Sequence, residues 1–154
     1  MKHRTVVACL TVLAALSIAP KLRALDAEAV EKTRLDFFKS MGKPAKALGE
    51  ELKKPDAALA EIRRLAAEID AAAPHLQEHF PAGSGPDKLA KTRVKAEIWA
   101  KPEEFRKDAE GLAQAAHDLV QVAQKDDVAA AKKAADTLFG ACKTCHETFR
   151  GPEL

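Results

Sequence analysis

The run Cys142-Lys143-Thr144-Cys145-His146, inside the last thirteen residues of this 154-residue chain, constrains the fold more than any other stretch. Cys-x-x-Cys-His is the attachment signature of c-type haem. On a helix, Cys142 and Cys145 share a face at i and i+3, and His146 lies at i+4 from Cys142, so two thiols and one imidazole converge on one patch. That patch suits a single porphyrin. The thiols can add across its two vinyl groups, and the imidazole can bind the iron as the proximal ligand. Three other uses of the same residues compete. A redox dithiol of this spacing expects a surrounding βαβ pattern, which is missing here. A closed zinc site needs four ligands, and no second cysteine pair exists. A Cys142–Cys145 disulfide would leave His146 without a role. Haem c is therefore the predicted cofactor and His146 the predicted iron ligand.

Export decides which thiols the mature chain keeps. Residues 1–24 read as a cleaved secretory signal, with Lys2, His3 and Arg4 as a charged start, Val6 to Ala19 as an apolar run and Ala24 as a small residue suited to cleavage. The run falls short of the ~20 apolar residues that span a bilayer core, although an uncleaved membrane anchor remains the alternative. Cys9 leaves with the signal, so residues 25–154 retain only Cys142 and Cys145, and no spare thiol is left for a disulfide framework. The signal carries Lys2, Arg4, Lys21 and Arg23 and no acid, so its loss removes four positive charges and takes the formal net charge from +2 to −2. A near-neutral mature domain without a basic patch argues against nucleic acid or an anionic membrane as a partner. The expected location is the periplasm, without stable membrane insertion after cleavage.

The ~130 mature residues suit one domain that buries about two-thirds of its unfolded surface. Abundant alanine and the absence of β-branched runs beyond the signal favour helix. Four helical stretches follow from the spacing. The first begins at the N-cap Asp26 and carries Val30, Phe37 or Phe38, Met41, Ala45, Leu48 and Leu52 at three- and four-residue steps, interrupted by Gly42 and Pro44, which predict one bent helix or two collinear pieces. The second follows Pro55 and Asp56, with Leu59, Ile62, Leu65, Ala66, Ile69 and Leu76 on its stripe, and ends by Pro81 after a bend at Pro74. Residues 81–101 form a crossover of loop composition, with room for a short helical turn ending at Glu97-Ile98-Trp99. The third helix has Pro102 in its first turn with Glu103 and Glu104 at the positive end of its dipole, and its face is Phe105, Leu112, Ala116, Leu119 and Val122. The fourth starts near Asp126 or Asp127 and places Val128, Ala131, Ala135, Leu138, Cys142, Cys145 and Phe149 along one side. Its haem motif thus faces the core, and an all-α antiparallel four-helix bundle is the economical solution.

The residues also carry a family resemblance. An N-terminal signal, a first helix with Lys32-Thr33-Arg34 and Phe38, Ile98-Trp99 followed by Phe105, and Cys142-x-x-Cys145-His146-x-x-Phe149-Arg150 together resemble the cytochrome c′ family across the whole mature chain. The resemblance implies an up-down-up-down bundle with haem c near the end of the last helix. It implies that Cys142 and Cys145 form the thioethers, that His146 is the proximal ligand, and that Arg150 flanks the exposed proximal side. Arg34 matches a first-helix arginine near a haem propionate, with an ordinary surface arginine as the alternative. Phe38 falls where the family places its distal residue, often leucine or, in low-spin relatives, methionine, and this chain has neither there. A homodimer through the first two helices is also implied, and Ala57, Ala58, Ala60 and Ala67 would permit close approach.

Phenylalanine has no lone pair to donate, so the reading is a five-coordinate iron whose distal face is guarded by Phe38, with Met41 beside the ring. Met41 lies three residues on, about 4.5 Å along the helix axis. The rival is a low-spin His146/Met41 electron carrier. Trp99 and Phe105 are haem-edge or core residues. His75 and His79 stand one turn apart without an evident third metal ligand, and they read, like His117, as surface or structural histidines. The expected function is electron transfer to redox partner proteins, binding of small gases such as NO and CO, or both, rather than catalysis. A haem peroxidase would want a distal histidine and arginine to polarise peroxide, and a sensor module would want an output domain.

Overall fold

Asp26 opens the first helix, its carboxylate accepting from the Ala29 amide at 3.1 Å and so satisfying one of the end amides without an intrahelical partner. The computed structural model describes residues 26–152, so the predicted signal at 1–24 lies outside the described residues. Helix α1 (Ala27–Lys53) runs through Gly42 and Pro44 as a single element, with Pro44 buried inside it. Of the two expected forms, the chain thus adopts the unbroken one: the ring forfeits one helical hydrogen bond but adds apolar surface to the inward face. Helix α2 (Leu59–Ala72) tightens at Pro74 into a 3₁₀ segment, Ala73–His79, whose first turn has no use for the missing proline N–H. After the crossover come the one-turn α3 (Glu97–Ala100), then α4 (Pro102–Ala123) and α5 (Val128–Phe149). Asp127 caps α5 by accepting from the Ala130 amide at 2.9 Å.

The predicted stripes become the core. Met41 and Leu48 from α1, Ile62, Leu65 and Ile69 from α2, Phe105, Leu112 and Leu119 from α4, and Ala131, Ala135, Leu138 and Phe149 from α5 form one buried cluster. On α4 the last inward position belongs to Ala123, with Val122 only half-buried. Three of the four bundle seams are well packed, α4 on α5, α1 on α2 and α2 on α4, and the fourth, between α1 and α5, is the loosest. Those two helices approach at Gly49, where a Cβ would stand 3.8 Å from the tip of the Phe139 ring. The small alanines of α5 bring α4 close on one side, while the haem motif lies towards the loose seam on the other.

The crossover closes the end of the bundle that holds the motif. Gly83 takes a φ of 80°, a conformation costly for a side chain. At Gly85 a Cβ would lie 3.0 Å from the Trp99 ring, so the loop backbone packs directly on the indole. Thr92 then donates to Glu31 of α1, and Val94 pairs with Arg150 at the end of α5.

The α1–α2 turn relies on one carboxylate. Ala58, at the start of α2, has no side chain that can cap, and its amide instead donates to Glu51 at 2.8 Å, beside Lys54 Nζ at 2.6 Å. These bonds, Lys54 first, hold the buried Glu51 carboxyl below its ordinary pKa. A depressed folded-state value means that the stabilisation is present above the unfolded pKa, about 4.3, and is lost as pH falls through the folded one. Glu51→Gln, which keeps an acceptor but not the charge, is therefore expected to unfold at lower temperature than the parent at pH 7. The gap should narrow as thermal melts are repeated down through pH 4 to 3; a gap that stayed constant would rule out the ionised carboxylate as its source.

Candidate functional site

Helix α5 presents its chemistry in two rows. Cys145 and Phe149 are buried in line with Leu138, while Cys142 and Phe139 are half-buried and His146 and Arg150 reach the surface. Along the second row lies an open groove of about 430 Å³, lined by Phe139, Cys142, Lys143, His146 and Glu147 of α5 together with Arg93, Arg150 and Gly151. The volume is within the range of small-molecule and cofactor sites. Phe139 was not singled out from the sequence, because the predicted stripe passes one residue away at Leu138.

The charge state of the trio follows from its surroundings. Burial raises the Cys142 thiol, and burial, with Asp108 and Cys142 adding to it, pushes Cys145 up to about 11. His146 is exposed as a residue, but the solvent lost where its ring meets the groove lowers its pKa, and the guanidiniums of Arg150 and Arg93 lower it further. At neutral pH the site therefore holds two S–H groups and a neutral imidazole. These are the forms that can add to a vinyl carbon and offer a nitrogen lone pair to a metal.

The other predicted residues divide. Arg34 is only 2 % exposed, yet its partners are protein groups: it donates to Glu31 at 2.5 Å, to the His79 carbonyl at 2.9 Å, and to the Ser84 hydroxyl and carbonyl at 2.6 and 3.1 Å. Those bonds engage four of the five N–H donors of a guanidinium and leave one for an outside acceptor. The surface-arginine alternative is excluded. Phe38 is half-buried and Met41 is buried in the core cluster, both on the side of α1 that faces inward. Trp99 and Phe105 join them through a residue that sequence reasoning passed over, Phe80. Its ring meets Phe105 at 5.0 Å, Phe38 at 6.0 Å and Trp99 at 6.5 Å, all edge to face, and Phe105 in turn meets Phe149 at 5.2 Å. An aromatic path thus links α1 to the haem motif. The one available signal for Phe80 was a large aromatic immediately before Pro81.

One polar atom in this region has no partner. The indole Nε1–H of Trp99 is buried without a hydrogen-bond acceptor. Such a donor costs about 1–3 kcal/mol. It is an observation of the kind expected where a group other than the polypeptide, bearing acceptor oxygens, completes the packing. Together with the neutral thiols, the neutral imidazole and the loose α1–α5 seam, it makes these residues a good fit to a haem with its carboxylates.

The remaining histidines stand apart. His75 pairs with Glu78 at 2.9 Å, His79 stacks on Phe37 at 4.0 Å, and His117 faces Asp70 at 3.5 Å. Among the described residues no group of three or more His, Cys, Asp or Glu side chains could hold a metal ion, and no helix is long and apolar enough to cross a membrane.

The chain is similar to known proteins along most of its length. The family model described as Cytochrome C′ matches residues 29–150. A cytochrome c′ of Pararhodospirillum photometricum is 40 % identical over 123 residues, 80 % of this chain and 97 % of the relative, and one of Rhodospirillum rubrum is 31 % identical over 150 residues, 97 % and 99 % of the two chains. A solved cytochrome c′ described as having an unusual ligand-controlled dimer dissociation is 28 % identical and superposes with a TM-score of 0.74, over 84 % of this chain and 100 % of its own.

Proposed function

Because the chain belongs to the cytochrome c′ family, whose members carry haem c, we propose that it is an exported haem protein that transfers electrons, binds small neutral gases such as NO and CO, or both. The observation that carries this reading is that Cys142 and His146 line one open groove on α5 while Cys145, one turn along the same helix, is buried beside it in the core. In attachment, each thiol adds its sulfur to one vinyl carbon and its hydrogen to the other, so no group leaves and no oxidant is required. When bound, the haem supplies an iron that changes by one electron or takes up a diatomic ligand. His146 would hold that iron through a ring nitrogen, and burial, with Arg150 and Arg93 adding to it, favours the neutral imidazole. Arg34, through its remaining N–H, and the Trp99 indole would serve the haem carboxylates.

Phe38 forms the distal wall. It offers neither a lone pair nor a proton, so the sixth position stays open to apolar gases, while general acid–base help for peroxide cleavage is lacking. Met41 is buried in the core three residues further along α1 and would lie beside the haem ring rather than over it. Export to the periplasm, with residues 1–24 as the signal, is part of the same proposal.

The first test is attachment and ligation together. The exported protein should gain the mass of one haem that resists acid–acetone extraction, and Cys142→Ala with Cys145→Ala should lose it. Phe38→Ala should speed CO binding, and Met41→Ala should leave a high-spin spectrum unchanged. An unmodified peptide mass would refute the proposal, and a low-spin spectrum that turns high-spin in Met41→Ala would establish the His146/Met41 alternative.

The second test concerns assembly. Leu35 on α1 is the large apolar side chain left exposed among the described residues, at 48 %, and Ala58, Ala60 and Ala67 on α2 are exposed small residues. We infer a homodimer through α1 and α2. Light scattering at micromolar concentration should give twice the protomer mass, falling to one in Leu35→Glu; a monomeric parent protein would end this reading.

A further inference from the structure

Within the crossover, residues 93–95 do more than connect elements. Lys95 Nζ donates at 3.1 Å to each of the carbonyls of Glu147 and Thr148, two acceptors in the last turn of α5. Its own amide donates to the Phe149 carbonyl at 3.1 Å, and the Gly151 amide donates back to the Arg93 carbonyl at 2.6 Å. Arg93 Nε adds bonds to the Gly151 and Pro152 carbonyls at 3.2 and 3.0 Å. The fit is close enough that a Cβ on Gly151 would stand 3.3 Å from the Arg93 oxygen.

This strap acts on the turn that holds His146. The final carbonyls of a helix lack intrahelical partners and carry the negative end of its dipole, equivalent to about half a charge. In α5 that end lies one to two residues from His146, whose own carbonyl accepts from Arg150 at 3.1 Å. An ammonium hydrogen-bonded to those carbonyls fixes the turn and offsets its negative potential. We propose that Lys95 is a positioning residue for the haem site, clamping the last turn of α5 so that His146 keeps its direction along the groove and the iron feels one nearby positive charge.

The proposal rests on the haem reading above, and its test separates the two. Lys95→Gln keeps donors but loses the charge, Lys95→Met loses both, and Lys95→Arg keeps both. Measured on the haem-loaded protein, Lys95→Met should favour the oxidised iron by about threefold at a given potential, where tenfold is 59 mV for one electron. It should also accelerate hydrogen exchange at the Lys95 and Gly151 amides by at least tenfold. Lys95→Gln should share the change in redox balance with a smaller rise in exchange, and Lys95→Arg should restore both. Potentials and exchange rates in Lys95→Met and Lys95→Gln that match the parent would overturn the clamp while leaving haem binding intact. A Lys95→Arg variant that behaved like Lys95→Met would also overturn it, and a parent protein without covalent haem would remove the reading beneath it and the clamp together.

Discussion

A helix that carries two thiols and an imidazole near its core-facing side cannot close tightly against every neighbour. Helix α5 resolves this by dividing its surface. Ala131, Ala135 and Leu138 press it onto α4, the best-packed pair in the bundle, and the side that bears Cys142 and His146 is turned to the loosest seam, against α1. Most of the architecture follows from that division. Small residues suffice where α5 meets α4, because alanine lets two helices approach and costs no side-chain entropy. On the α1 side, α5 approaches Gly49 through the Phe139 ring, one turn before the motif. The same division gives the two cysteines their burial and hence their neutral thiols.

With one seam loose, something else has to hold α1 and α5 in register at the motif's end, and the crossover does so. Arg34 ties α1 to the loop through Ser84 and the His79 carbonyl, Thr92 ties the loop to Glu31, and Arg93 to Lys95 tie it to the end of α5. The first of these contacts is a buried charge. Desolvation lowers the Arg34 pKa, and Glu31, hydrogen-bonded to it, opposes that shift. Such a pair adds little net stability compared with apolar residues, but removing one partner strands the other at about 3–5 kcal/mol. Its value here is geometric: one guanidinium fixes three separate chain segments with directional bonds, which apolar contacts alone would not specify.

The parts legible in the sequence were those with a local signature. Helix ends at Asp26, Pro102 and Asp127, the interruption of the second helix at Pro74 and most of the inward stripes follow from caps, prolines and periodicity, and the structure reproduces them, with Ala123 in place of Val122 on α4. The motif announced its own chemistry through spacing. Less legible was whatever depends on two distant segments meeting. Pro44 read as a kink, because sequence shows the lost hydrogen bond but not the core that welcomes the ring. Arg34 stood open between propionate partner and surface residue, because the acceptors that bury it come from residues 79 and 84. Lys95 and Arg93 carry no local signal, since nothing in the neighbouring sequence tells a lysine that it will meet the last carbonyls of a helix more than fifty residues later.

Phe80 shows how these long-range contacts reach the site itself. Its backbone adjoins the carbonyl that accepts from Arg34 Nε, and the same guanidinium carbon lies 4.7 Å above its ring. A cation over an aromatic face contributes about 0.5–1 kcal/mol at exposed sites and more when desolvated, as this one is. The ring is further bounded by Phe105 at 5.0 Å and nearly perpendicular, so little freedom remains for it to turn. Phe38 rests its edge on that ring, and its direction is therefore set by a charged residue one turn earlier on its own helix. An apolar wall held only by other apolar side chains could repack when a ligand presses on it, since such contacts are non-directional. A wall backed by a guanidinium that is itself held by four hydrogen bonds resists that motion. If Phe38 is the distal wall proposed above, the polarity it would withhold from that face is supplied behind it, where it would govern shape without touching a bound gas.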